Sequence, residues 1–503
     1  MKPLSYPLTR PLVLAIALAL QACATTEPAR APVVDLPAAF DSAPPADAPQ
    51  ITSAWWKGFG SPSLEGLLDE ALAGSADLRI AVERMRQADI ALQQAGISRL
   101  PTVNGSLGAS VGRSEGPVVA GTSRESTSAG LSISYEVDLW GRIAAGVRAG
   151  EASFLATQED WKTARLTLLT AVANNYFLWL NTAERLRIAR ENLAIAERVL
   201  RIVEARQRNG VATALEVSQQ RTAVLSQRTA LIPLELQQRQ TASALALLLG
   251  RVPQGYAPAA GEFSALRVPA VAPGLPSSLL TRRPDLSAAE AQLAAADANV
   301  EAARAALLPS VSLSASGSLG TSALLSLADP TRSVSLGLSL AQAIFDGGRR
   351  RLAISTTESQ RVVLIENYGN AIRSALKEVD DGLDNVQRSE RQEALQREVV
   401  AQARRSLQLA ELRYREGSGD LLSVLDAQRT LFSALDALAT QNLARLSDQL
   451  GLYKALGGDW SRVDLRCPES PRNCKFREGF AISLNENRYN SQTDDHWRFS
   501  PCR

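Results

Sequence analysis

Proton transfer near neutral pH usually falls to histidine, and this chain of 503 residues has a single one, His496, close to its end. A Ser-His-Asp arrangement, a histidine metal site or an imidazole shuttle therefore lacks its central residue throughout the body of the chain. Asp380 and Asp381 are adjacent carboxylates. They lie in a run of charged, helix-forming residues and read as a solvated helix face rather than an acid–base pair. Arg349, Arg350 and Arg351 could hold an anion. They follow the end of a strand-like segment, so they read as a cluster at a junction between elements. Aromatic residues make up 5%, few for a chain that stacks sugars or bases. The 54 basic and 52 acidic residues leave a net charge of +2, with no surplus to neutralise a nucleic-acid backbone. The expectation is a chain that is not an enzyme, holds no cofactor or metal and binds no nucleic acid.

Length suggests two to four domains, and 45% hydrophobic with 21% charged residues is an ordinary globular balance. The first residues read differently. Lys2 and Arg10 precede an apolar run, Pro11 to Leu20, which suits a secretory signal and is too short to span a bilayer as a helix. Leu20-Gln21-Ala22-Cys23 resembles a bacterial lipobox, which would make residues 1–22 a signal peptide and Cys23 the lipidated mature N-terminus. Ala24 follows where an inner-membrane retention Asp would stand, so outer-membrane sorting is implied. Pro28, Pro32, Pro37, Pro44, Pro45 and Pro49 then oppose regular structure, and residues 23–60 read as a lipidated start and extended tether. No later stretch is apolar for long enough to be a spanning helix, so any membrane crossing must be by a β-barrel.

The body is an internal duplication. Ala76–Ser110 laid over Pro284–Ser318, a shift of 208, gives 11 identical positions in 35. A shift of 207 then aligns Gly141-Arg142 with Gly348-Arg349, Arg206 with Arg413, and Gly210 with Gly417. This divides the chain into a first copy (61–260), a second copy (261–460) and a polar, cysteine-containing tail (461–503). Cys467, Cys474 and Cys502 lie in that tail, and one of the three must stay unpaired within the chain.

Each copy reads helix, strand, strand, long helix, returning helix. Serines at 310, 312, 314, 316 and 318 alternate with Val311, Leu313, Ala315, Gly317 and Leu319. Ser333–Phe345, Ser128–Leu139 and, more weakly, Thr102–Gly112 alternate in the same way, which gives each strand one apolar and one polar face. Runs of about 10 residues suit a tilted spanning strand. Glu151 to Asn209 contains neither glycine nor proline and predicts a helix of roughly 90 Å. Arg349 to Glu416 matches it in the second copy. Gly210 and Gly417 then mark reversals into returning helices. Four strands cannot close a barrel, and open edges are not tolerated in lipid. Several chains must combine: two give 8 strands, three 12, four 16. The fold class is therefore an α+β membrane protein with a shared barrel continued by a long helical tube.

Five segments carry a resemblance to a known family: Trp55-Trp56-Lys57-Gly58-Phe59, Arg282-Arg283-Pro284-Asp285-Leu286, Leu307-Leu308-Pro309-Ser310, Phe345-Asp346-Gly347-Gly348-Arg349, and Leu452-Tyr453-Lys454-Ala455-Leu456-Gly457-Gly458-Asp459-Trp460. In this order, on a duplicated frame, they resemble the TolC-like outer membrane efflux family and its lipoprotein branch. The resemblance implies a homotrimeric 12-stranded outer-membrane β-barrel, four strands per chain, continued by a periplasmic α-helical barrel. It implies an exit duct of a tripartite pump, with a periplasmic membrane-fusion adaptor and an inner-membrane transporter of the resistance-nodulation-division type as partners. It places Leu422 and Asp426, four apart on one helix face, at a periplasmic aperture. Glu216 and Tyr414 fall on positions that brace neighbouring tip helices in the closed state, with Glu replacing a shorter Asp. Arg206, Gly210, Arg413 and Gly417 fall at the adaptor-facing tips. The bland alternative makes Leu422 core and Asp426 a surface charge. Two other functions compete: a lipid-anchored periplasmic coiled-coil adaptor or scaffold, and a duct for type I protein secretion. The paired Ser/Leu strands argue against an adaptor, which has no need of them.

Overall fold

A computed structural model describes residues 34–41, 54–116, 119–259, 261–269 and 271–458. The signal segment, Cys23 and the 461–503 tail lie outside the described residues, as does most of the segment between Cys23 and Ala54.

The first copy opens with α1 (Pro62–Gly74) and α2 (Ala76–Ile97). The Ser61 and Ser75 hydroxyls accept from the backbone N–H of Leu64 (3.3 Å) and Leu78 (3.4 Å), so a serine caps each helix. Strands β1 (Thr102–Gly116) and β2 (Val119–Val137) follow, then α3 (Arg142–Arg208) and the returning α4 (Ala214–Leu248). The second copy has a single turn, α5 (Leu279–Arg282), then α6 (Pro284–Ala305), β3 (Ser310–Thr321), β4 (Thr331–Ala341), α7 (Arg349–Arg415) and α8 (Leu421–Ala455). The duplication is reproduced to the residue: α3 and α7 each have 67 residues, α4 and α8 each have 35, and α2 and α6 each have 22.

A helix of 67 residues is about 100 Å long, longer than the sequence predicts. α3 begins at Arg142 rather than Glu151 because Gly146 and Gly150 do not break it. A β-carbon at Gly150 would lie 3.3 Å from the Leu92 side chain, so this glycine admits the close approach of α2. The carboxylates of Asp138 and Asp346 accept from the first N–H groups of the two long helices: Ile143 (3.1 Å) and Ala144 (2.8 Å) for one, Gly348 (2.9 Å) and Arg350 (3.2 Å) for the other. Arg350 also donates to the Ala306 carbonyl at 2.9 Å, so the arginine cluster joins the long helix to the end of α6.

All four strands form one antiparallel sheet in the order β1-β2-β3-β4. The first hairpin is longer than its alternation predicts. β1 and β2 stay paired out to Gly116 and Val119, beyond the end of β3 at Thr127↔Thr321. β4, in turn, ends at Ala341, short of Phe345.

The main core lies where α1, α3, α7 and α8 meet. Phe59, Tyr176, Phe177, Leu180, Leu245 and Tyr453 are buried there. The Trp55 ring stacks on Tyr453 with centroids 5.3 Å apart. Phe40 is buried in the same cluster, and the Asp41 N–H donates to Asp380 at 3.3 Å. The part of the tether that is described therefore packs on the body instead of hanging free. Asp380 correspondingly departs from a plain solvated face, and desolvation raises its pKa. Arg283, in the Arg-Arg-Pro-Asp-Leu segment, is buried and donates to Asp285 (2.7 Å), Glu378 (2.7 Å) and the Ala455 carbonyl (2.9 Å). It ties the start of the second copy to its end. A separate core near the tips gathers Val199, Val203, Val217, Leu407, Leu421 and Val424.

Candidate functional site

The sheet has two chemically distinct faces that extend across all four strands. On one, Val103, Ile133, Ala315 and Leu336 lie in one transverse row, and Leu313 and Leu338 in the next. On the other, Asn104, Ser132, Ser316 and Ser335 form a row. Serine hydroxyls pair across the strands on this face, Ser312 with Ser339 and Ser316 with Ser335, each at 2.7 Å. Leu107, Leu336, Leu338 and Leu340 are all more than two-thirds exposed. An apolar face this large is stable only against lipid, and the hydroxyl face only against water. Among the described residues neither edge strand, β1 nor β4, has a second partner, so further chains must supply the closure. Among the described residues no helix is long and apolar enough to cross a membrane.

The long helices carry the chain away from this sheet to two tips. Gly210 has φ 75° and Gly417 φ 78°, the left-handed region that a reversal after a helix requires. The Arg206 carbonyl accepts from Val211 N–H at 2.9 Å, and the Arg413 carbonyl from Ser418 and Gly419 N–H, each at 3.0 Å. The two tips thus share one closing geometry. α4 then starts on a reciprocal cap: the Thr213 hydroxyl accepts from Glu216 N–H (3.2 Å) and the Glu216 carboxylate accepts from Thr213 N–H (2.7 Å).

Three of the predicted residues come together at the tips. The Arg206 guanidinium lies 4.5 Å from the centre of the Tyr414 ring and donates to the Tyr414 carbonyl at 2.5 Å. Glu216 is close enough to act on the same phenol. Burial, with the nearby Glu216 charge, pushes the Tyr414 pKa up against the opposing effect of Arg206. Tyr414 is buried, and among the described residues its hydroxyl has no hydrogen-bond partner. Arg206 therefore turns into the tip, whereas Arg413 is exposed.

Leu422 and Asp426 stand apart from this trio. Leu422 is 58% exposed, which removes it from the core of the protomer. Asp426 is also exposed and faces Arg429 at 3.5 Å. Leu422, Asp426 and Arg429 follow one another at helical spacing along the exposed face of α8. The beginning of α8 is fixed by Asp420, whose carboxylate accepts from Ser423 N–H at 2.7 Å and is held below the usual carboxylate pKa by that bond.

Residues 67–251 and 275–458 match the family described as "Outer membrane efflux protein". The chain belongs to that family. The pyoverdine export outer membrane protein OpmQ of Pseudomonas aeruginosa is 45% identical over 418 residues, covering 81% of this chain and 87% of the relative. The solvent efflux pump outer membrane protein SrpC of Pseudomonas putida is 34% identical, covering 80% of this chain and 87% of the relative. The solved outer-membrane channel OprN superposes with a TM-score of 0.80 at 28% identity, covering 87% of this chain and 99% of that one. The fold is that of the trimeric outer-membrane channels, with four strands and two long helical hairpins from each protomer. The channel lies in the outer membrane and extends into the periplasm. In that setting the apolar sheet face suits contact with lipid and the hydroxyl face suits the water-filled interior. Arg429 and the Arg206–Tyr414 contact were not among the predicted site residues. Thr213 is the exception that a motif marks, since Thr-x-x-Glu before an apolar run is a capping-box signal.

Proposed function

We propose that this channel is the passive exit duct of a tripartite pump, gated at its periplasmic end by Leu422 and Asp426. The observation that supports it most is the exposed Leu422–Asp426 face, just past the second tip and separated from the strands by the 67 residues of α7, about 100 Å of helix. Three copies around one axis would set three leucines and three carboxylates against one another. The carboxylates would repel and favour a bound cation, and the Arg429 charges beside them would offset part of that field. An inner-membrane transporter of the resistance-nodulation-division type supplies the energy, and a membrane-fusion adaptor docks at the tips. Exposed Arg413 serves that docking, and Arg206 serves the tip itself. Small molecules are the substrate class, as the pyoverdine and solvent exporters named above suggest. Cys23 carries lipid as a second anchor beside the barrel. A hydroxyl-lined barrel wall has no use in a periplasmic scaffold.

The test is co-purification of the tagged channel with its native adaptor and transporter. Arg413→Glu is expected to weaken cross-linking to the adaptor several-fold while trimers persist. Full adaptor cross-linking with export lost would overturn the tip assignment.

A further inference from the structure

The apolar face of the sheet has a dip in it. A groove of about 400 Å³ is lined by Ile133 and Tyr135 of β2, Leu313 and Ala315 of β3, and Leu336 of β4. Arg99, from the turn between α2 and β1, completes the lining. Ala315 makes the dip. Its cross-strand neighbours are Ile133 and Leu336, and Leu313 lies two residues along β3, so a methyl sits among three branched side chains. Arg99 is exposed, and among the described residues no carboxylate pairs with its guanidinium.

The depth of Arg99 follows from its neighbours. It precedes β1 at the end of the sheet from which both long helices leave, which is the periplasmic end. Trp140 follows β2, with its indole N–H donating to the Pro309 carbonyl at 2.6 Å, and Phe345 follows β4 and is 91% exposed. Aromatic residues gather where hydrocarbon gives way to headgroups, so the guanidinium stands at the level of the lipid phosphates. The second copy lacks each part of this arrangement. Leu307 stands where Arg99 would, Gln342 where Tyr135 would, and Leu107 of the first copy is the counterpart of Ala315. Gln342 instead donates to the Leu307 carbonyl at 3.1 Å. The hairpin can therefore be built without the groove, and closing the barrel does not explain it.

We propose that each protomer holds one anionic glycerophospholipid of the periplasmic leaflet, its phosphate on Arg99 and an acyl chain over Ala315. This rests on the outer-membrane channel fold and not on the conduction or gating reading. An acyl chain gains little by leaving other acyl chains for an apolar wall, so a flat sheet face holds no lipid in particular. A guanidinium at phosphate depth changes that, because it offers paired N–H donors to a phosphate where water is scarce. A lipid with net negative charge is favoured over a zwitterionic one, whose own ammonium competes for the phosphate. The groove then adds a shape that one chain can fill, and its volume is that of a small-ligand site. Lipopolysaccharide occupies the opposite leaflet, at the far end of the strands.

Native mass spectrometry of the full-length trimer, delipidated in detergent and titrated with dioleoylphosphatidylglycerol, tests this. The wild type is expected to retain one such lipid per protomer. Arg99→Leu, which installs the side chain the second copy carries, should weaken retention about tenfold, the scale of a charge-assisted hydrogen bond. Ala315→Leu should do the same by filling the groove with the charge intact. Arg332→Leu removes an arginine from the same face at the other end of the sheet, where it pairs with Leu319, and should change nothing. The proposal is overturned if intact wild-type trimers retain no phosphatidylglycerol, or if Arg99→Leu retains as much as the wild type. It is also overturned if Arg332→Leu loses as much as Arg99→Leu, or if lipopolysaccharide displaces the phosphatidylglycerol. Uptake by Cys23→Ser trimers alone would overturn it too, since the chain's own acyl groups would then fill the groove.

Discussion

Tyr414 concentrates the residue-scale physics of the tip. Its ring fills the distal core beneath Arg206 while its hydroxyl goes unpartnered among the described residues. Tyr414→Ala should therefore cost about 3–5 kcal/mol in local stability, as large aromatic truncations do, and Tyr414→Phe almost nothing. Hydrogen exchange at the tips of the two variants distinguishes ring from hydroxyl. The raised Tyr414 pKa has a definite sign. A folded-state pKa above the unfolded value favours folding fully below the ordinary 10.0 and loses that contribution as pH climbs through the folded value. Tip protection should fall above pH 10 in the wild type and stay flatter in Tyr414→Phe. Arg429 offers a second check. Arg429→Ala should lower the concentration of trivalent cation needed to block the channel in bilayer recordings, since it unmasks Asp426. Leu422, Asp426 and Tyr414 were singled out by the resemblance to the family, not by spacing alone. Arg206 against Tyr414 was not legible, because residues 208 apart in sequence meet only once two helices have folded side by side.

At the scale of elements, sequence and structure agree where one periodicity acts alone. The Ser/Leu alternation of β3 and the run without glycine or proline in α3 each leave a single answer. They part where tertiary packing decides. α3 takes in Gly150 because α2 closes over it, and the outer part of the β1–β2 hairpin pairs through Ser, Gly and Arg residues that show no clean alternation. The caps Asp138 and Asp346 escape notice because they align only under the 208 shift, whereas the helices they start follow 207. The tip glycines give the prediction for this scale. Gly210→Val or Gly417→Val leaves room for the new side chain but forces a left-handed backbone on a β-branched residue. Each should cost about 1–2 kcal/mol, seen as faster proteolysis at the affected tip with the barrel intact.

The whole molecule is a set of halves that do not finish themselves. A four-stranded sheet with one face for lipid and one for water has to close with other chains, and 67-residue helices place its tips about 100 Å from the membrane. The repeat, the faces and the open edges were all readable in the sequence. The number of chains was not, since strand count alone admits eight, twelve or sixteen, and it came from the resemblance. A closed barrel resists detergent until heated, so unheated outer-membrane fractions should show a slow trimer band that boiling converts to monomer. On the proposed function the duct is narrowest at Leu422 and Asp426. Single-channel recording of the purified trimer in planar bilayers tests it most directly. The wild type should show a small, cation-selective conductance blocked by trivalent cations. Asp426→Ala should abolish the block, and Leu422→Ser with Asp426→Ala should raise the conductance several-fold. A single mutant still blocked at the wild-type concentration, or a double mutant with unchanged conductance, would contradict it.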